Sequence, residues 1–161
     1  MAPSYESIRS AQAHTIGQPS TATHNTAFLR PSILLLGWGF VVFFTFAFVA
    51  SSLRLSTPLW LEVLLRWGPG GAEQYEKMIA AINLVLGIFL IKAANAPLDH
   101  ALFLDFAAWC NVAHLTAMTV MAITNPGDRI HLLGDVLVGY VLVGPFVWIW
   151  VHVRRGTKRQ V

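Results

Sequence analysis

The residues best able to do chemistry are gathered in one apolar run, residues 99–123. It carries Asp99, His100, Asp105, Trp109, Cys110, Asn111, His114, Thr116, Met118 and Met121. On a helix at 100° per residue, His100, Ala107, Asn111, His114, Met118, Met121 and Asn125 share one broad face. Leu102, Asp105, Trp109, Val112 and Thr116 fall on the other side. A helix surrounded by lipid alone would not carry such a stripe, because polar groups in hydrocarbon are costly unless partnered. The run therefore belongs inside a bundle.

Three chemistries fit these residues and their neighbours. The first is cofactor contact by His114, with Asn111 beside it: an axial ligand to haem or chlorophyll, or a hydrogen bond to a quinone. A six-coordinate haem needs two imidazoles at one depth on facing helices. The antiparallel fourth helix offers residues 138–140 opposite His114, and none is histidine. His100 and His152 share a depth, but at the interface. The spacing argues against a buried bis-histidine haem. The ordinary role for His114 is a hydrogen bond to Asn83, Asn111 or a carbonyl within the bundle.

The second is a metal or proton-handling site from Glu76, His131 and Asp135. His131 and Asp135 are i,i+4 on one helix face, and two carboxylates with one imidazole can hold a metal ion. Glu73, Asn125 and Asp128 belong to the same end of the bundle. The plainer reading is a polar lock between helices. The third is an ion pair between Lys92 and Asp105 or Asp99 that fixes a tight hairpin, far commoner than a catalytic lysine. Cys110 reads as a small buried hydrophobe, and Met118 and Met121 as core filling.

The elements that must position these residues follow from composition and hydropathy. Of the 161 residues, 55% are hydrophobic and 12% charged. A soluble domain carries roughly a quarter charged residues. The mean hydropathy of +0.58 agrees. The pI near 9.4 does not indicate nucleic acid. Arg154, Arg155, Lys158 and Arg159 follow an apolar run directly and read as an orientation signal. The one cysteine, Cys110, excludes an intramolecular disulfide.

Residues 1–30 are polar and rich in Ser, Thr, Ala and Gln, and are expected to form a flexible or partner-docked tail. They lack the apolar core of a secretory signal. Four spans are expected at about 33–53, 75–94, 99–123 and 131–153. The first is rich in Phe, with Gly37 and Gly39 as a close-approach point for a partner. Between spans one and two, Trp60 and Trp67 anchor a short interfacial helix opened by Pro58 and closed by Gly68–Gly71. Trp148, Trp150 and His152 make an interfacial belt before a basic tail, 154–161. Helices two to four are expected to form a self-satisfied bundle, with helix one and the tryptophan-rich segment facing outward.

With four spans, both termini share one side. That side holds seven Lys and Arg residues (Arg9, Arg30, Lys92, Arg154, Arg155, Lys158, Arg159) against four on the other (Arg54, Arg66, Lys77, Arg129), so both termini are expected in the cytoplasm. The sequence contains no phosphate-cradling glycine loop, nucleophile elbow, Cys-x-x-Cys or His-Glu-x-x-His. No enzyme class is indicated.

The segment Ala81-Ile82-Asn83-Leu84-Val85-Leu86-Gly87-Ile88-Phe89-Leu90, followed by Pro97 to Met121, resembles small bacterial four-helix membrane proteins, DoxX-like or uncharacterised. The resemblance spans about 73–153, with His131-Leu132-Leu133-Gly134-Asp135 its most distinctive stretch. It implies an all-α, four-helix integral membrane bundle in a bacterial inner membrane, and no assigned activity. The functional expectation is a small accessory subunit packed in the lipid bilayer against a larger respiratory or photosynthetic complex, or against its own copies.

Overall fold

The computed structural model describes residues 21–56, 58–65 and 73–158. Trp67, residues 1–20 of the expected tail and residues 159–161 lie outside them. The described residues are all-helical: α1 Thr21–Ser52, α2 Leu59–Leu65, α3 Glu73–Ala93, α4 Ala101–Thr124, a 3-10 segment Pro126–Leu132, and α5 Asp135–Lys158.

Three of these helices are long and apolar enough to cross a membrane: Ala27–Ser52, Ala101–Thr124 and Asp135–Gly156. In each, 28% of the most apolar window is buried within the chain. The remaining apolar surface includes Leu102 at 84% exposure, Leu133 at 81% and Ile82 at 67%. A surface this apolar requires a nonaqueous surrounding. The chain is a multi-pass membrane protein. Helix α3 is not among the three. Glu76, Lys77 and Lys92 bracket an uncharged stretch of residues 78–91, about 21 Å long.

Helix α1 begins at Thr21, earlier than the expected first span, and runs through Pro31. Pro31 has no N–H to donate one turn back. Ser32 Oγ donates to the Leu29 carbonyl nearby, at 2.8 Å. Leu29 is buried, which ties this extension to the core. The helix ends where Arg54 takes a left-handed conformation, φ 49°. That lets Leu55 N–H reach the Ala50 carbonyl at 3.1 Å, a common helix stop.

The neighbours differ from those expected. Helix α1 is central: it packs along α3 on one side and α5 on the other. Its inward residues Ile33, Leu36 and Phe40 join Leu90, Leu104, Ala107, Phe146 and Trp150 in one core. Helices α3 and α4 touch sparingly, Phe89 against Phe103 near their hairpin. The expectation that helices two to four close on themselves with helix one outside is therefore corrected.

Two glycines account for that choice. A Cβ on Gly87 would lie 2.9 Å from the Gly37 carbonyl oxygen, and one on Gly37 would lie 3.1 Å from the Gly87 carbonyl oxygen. The backbones of α1 and α3 cross with no side chain between them. Gly37 is thus spent on an internal contact, not on a partner. Gly39 faces Leu142 of α5 at 3.9 Å.

Gly87→Ala should lower stability in detergent by about 1–3 kcal/mol, the usual cost of overpacking. Gly144→Ala, where an added Cβ meets nothing within 4 Å, should not. Thermal unfolding of the two variants tests the crossing; equal midpoints would sink it.

Candidate functional site

Toward the end away from the α3–α4 hairpin, a cavity of about 380 Å³ lies among α1, α3, α4 and α5. The size falls within the range of small-molecule sites. Phe40, Phe43 and Phe44 line it from α1, Ile79 and Asn83 from α3, Leu142 from α5, and Asn111, His114, Met118 and Met121 from α4. Leu64 and Leu65 of α2 close one end. Gly134 lets α2 in: Val63 Cγ1 sits 2.7 Å from where a Cβ would be.

The walls are almost wholly apolar because most polar side chains near them are satisfied locally. Asn111 is buried and its amide donates to the Ala107 carbonyl at 2.8 Å. Asn83 donates to Ile79 at 2.9 Å. Thr116 and Thr119 donate to the carbonyls one turn back, both at 2.7 Å. Thr119 also meets the Tyr140 hydroxyl at 3.1 Å, joining α4 to α5.

His114 differs. Its ring lines the cavity and makes no hydrogen bond to another described residue. The expected bond to Asn83, Asn111 or a carbonyl is not formed. Asn111 and Asn83 have each turned to their own helix instead. Sequence and structure agree that Asn111 and His114 share a face; the structure adds that this face opens onto a cavity.

The trio expected as a metal centre is split. Glu76 accepts from Ser51 Oγ of α1 at 3.0 Å. His131, buried, pairs through Nδ1 with Asp135 at 3.1 Å. Among the described residues, no three of His, Cys, Asp and Glu are grouped closely enough to hold a metal ion. Glu76 and Asp135 both line the cavity's closed end, but from separate pairs.

The expected Lys92–Asp105 ion pair is also corrected. Asp105 accepts from Trp150 Nε1 at 2.8 Å and from Arg154 at 2.9 Å, both on α5. Antiparallel packing of α4 on α5 puts these residues at one depth. Lys92 instead rests 5.3 Å from the Phe89 ring centroid. Trp150 consequently leaves the interfacial belt: it is 1% exposed, while Trp148 stays outside at 63%. Two residues apart on a helix, the pair cannot share a face. Trp60 is exposed, as an interfacial anchor should be. Cys110 is exposed rather than buried.

Residues 35–160 match DUF6632, a family of unknown function. The chain belongs to that family. The match supports an uncharacterised family and gives no support to the DoxX-like resemblance. No curated protein and no solved structure matches the chain. The DUF6632 segment includes the whole cavity-lining set, from Gly39 to Val143.

Sequence reasoning missed Arg154 and Trp150 as partners of Asp105. The signal was present: in an antiparallel α4–α5 pair, the C-terminal end of the last span lies level with the start of the one before it. Asp105→Ala should cost about 1–3 kcal/mol by leaving Trp150 and Arg154 without their acceptor. Lys92→Ala should cost little. Chemical unfolding in mixed micelles would separate them, and a larger loss for Lys92→Ala would restore the hairpin pair.

Proposed function

We propose that this protein holds an amphipathic, mainly apolar small molecule within the membrane, in the α1–α3–α4–α5 cavity. One observation carries this reading: an apolar cavity with the His114 ring in its wall, a ring that makes no hydrogen bond to another described residue. Such a lining suits a flat or chain-like apolar body with one polar group. His114 would address that group by a hydrogen bond, as to a quinone carbonyl, or as an axial ligand to a haem or chlorophyll metal. Asn111 would stay in its own turn and shape the wall. The gap between α3 and α4 provides lateral entry from lipid.

The topology that goes with this function has α3 as a fourth span. It runs antiparallel to α1 through the glycine crossing and the Ser51–Glu76 bond, so it covers much of the same depth. Both termini then share a side, and the excess of Lys and Arg on it favours the cytoplasmic face of a bacterial inner membrane. A role as accessory subunit of a larger complex is compatible with the cavity. Its docking face would be the lipid-exposed outer surface of α3 and α4, since Gly37 is occupied.

The test is purification in mild detergent, followed by organic extraction, mass spectrometry and an absorption spectrum of the same sample. The expected result is one apolar compound near equimolar with the protein, reduced severalfold in His114→Ala and in Ala117→Phe, which fills the cavity from α4. Occupancy unchanged in both variants would overturn the assignment to this cavity. A Soret band lost in His114→Ala would identify the compound as haem. Stoichiometric larger subunits in the same sample would establish the accessory role.

A further inference from the structure

A second groove lies on the outside of the α4–α5 pair. It has a volume of about 400 Å³ and is lined by Val112 and Leu115 of α4, and by Val143, Val147 and Val151 along α5. Leu115 and Val143 also line the inner cavity, so they form the wall between the two. Gly144 lies in the groove, and nothing stands within 4 Å of where its Cβ would be. The groove therefore has an open channel floored by small and β-branched side chains.

Its two ends are chemically unlike. At the end nearer the middle of the span, Tyr140 is tied to Thr119 across the helix pair. At the other end stand Trp148, His152 and Arg155. The His152 ring packs on Trp148 at 4.4 Å between centroids. Its Nδ1 donates to the Trp148 carbonyl at 2.7 Å, which fixes the ring in place. Arg154 and Arg155 are adjacent in sequence but differ in engagement. Arg154 is committed to Asp105, whereas Arg155 is exposed and makes no ion pair with a described residue.

From Tyr140 to Arg155 the helix rises about 22 Å, more than the roughly 15 Å half-thickness of a bilayer core. A molecule lying in the groove would have an apolar chain of leaflet length and an anionic group at the membrane interface. We infer that this groove is a binding site for an anionic phospholipid, its acyl chain in the channel over Gly144 and its phosphate on Arg155 beside Trp148. Charge and length together select this occupant. A second transmembrane helix would need apolar matching along its whole length, and would leave Arg155 facing it without a counter-ion. The inference is independent of the inner cavity and needs only the membrane setting. With the C-terminus in the cytoplasm, Arg155 would stand in the leaflet where anionic headgroups draw basic residues.

The test uses the full chain in a mild detergent, exchanged with equal amounts of phosphatidylglycerol and phosphatidylcholine of the same acyl chains. Native mass spectrometry reads the lipid retained. The wild type should retain phosphatidylglycerol roughly fivefold over phosphatidylcholine, the ratio expected of one basic residue at the membrane surface. Arg155→Gln should remove that preference, and Arg155→Lys should keep most of it. Gly144→Leu should lower retention of both lipids without changing the ratio. Equal retention of the two lipids by the wild type would overturn the proposal. So would an unchanged preference in Arg155→Gln, or a dimer mass in which Gly144→Leu restores the monomer. Because Arg155 and Gly144 do not line the inner cavity, their failure would leave the His114 assignment untouched.

Discussion

The arrangement rests on the close passage of two backbones at Gly37 and Gly87. In a membrane, apolar side chains gain little by leaving lipid for protein, so helices associate where their surfaces can approach and pack densely. The glycine crossing gives α1 and α3 that contact. Once α1 is joined to α3, its other flank is left for α5, and α5 in turn holds α4 through Trp150, Asp105, Arg154, Thr119 and Tyr140. The chain of neighbours runs α3–α1–α5–α4. Its two ends, α3 and α4, are joined by a tight hairpin but are not drawn together along their length. The cavity is the space this order leaves between them.

Polar side chains in this setting follow one rule: a short side chain that can reach a carbonyl of its own helix does so. Asn83, Asn111, Thr116, Thr119 and Thr124 all donate to the residue four positions back, at 2.7–2.9 Å. Such bonds neutralise the cost of polarity without any partner helix. His152 does the same through Nδ1. His114 stands outside this pattern, and so does the pair of carboxylates at the cavity's closed end, which take Ser51 and His131. Polarity that is not absorbed by its own helix thus falls in two places: the Asp105–Trp150–Arg154 lock between α4 and α5, and His114 with Glu76 and Asp135 at the cavity.

Much of this was legible in the sequence, and the misses have physical causes. Three of the expected apolar runs coincide with helices long and apolar enough to cross a membrane, although α1 starts well before the first of them; length and hydropathy alone decide that property. The face shared by Asn111, His114, Met118 and Met121 was also readable, since helical spacing fixes it. Neighbour order was not, because all four long helices are apolar on several sides and hydropathy cannot say which flank meets which. The pairing of Asp105 is the instructive case. Lys92 is nearer along the chain, but the two helices of that hairpin separate, while α4 and α5 stay in contact and bring Arg154 level with the carboxylate. The splitting of Glu76 from His131 and Asp135 has the same origin. Lying at the same end of a bundle does not place residues on one site when a cavity stands between the helices.

The contrast between Arg154 and Arg155 shows how one short stretch serves two surroundings. Successive residues on a helix point about 100° apart. Trp150 and Arg154, four apart, face inward to Asp105, and the guanidinium lies 5.6 Å from the Trp150 ring centroid. Trp148, His152 and Arg155, spaced four and three apart, face outward along the lipid-side groove. The last two turns of α5 thus carry an internal lock on one face and a basic, aromatic surface on the other. Since the inward face is fixed by the buried indole of Trp150, the outward face is held in a defined position at the membrane boundary. A charge so placed acts on whatever lies in the headgroup layer beside it.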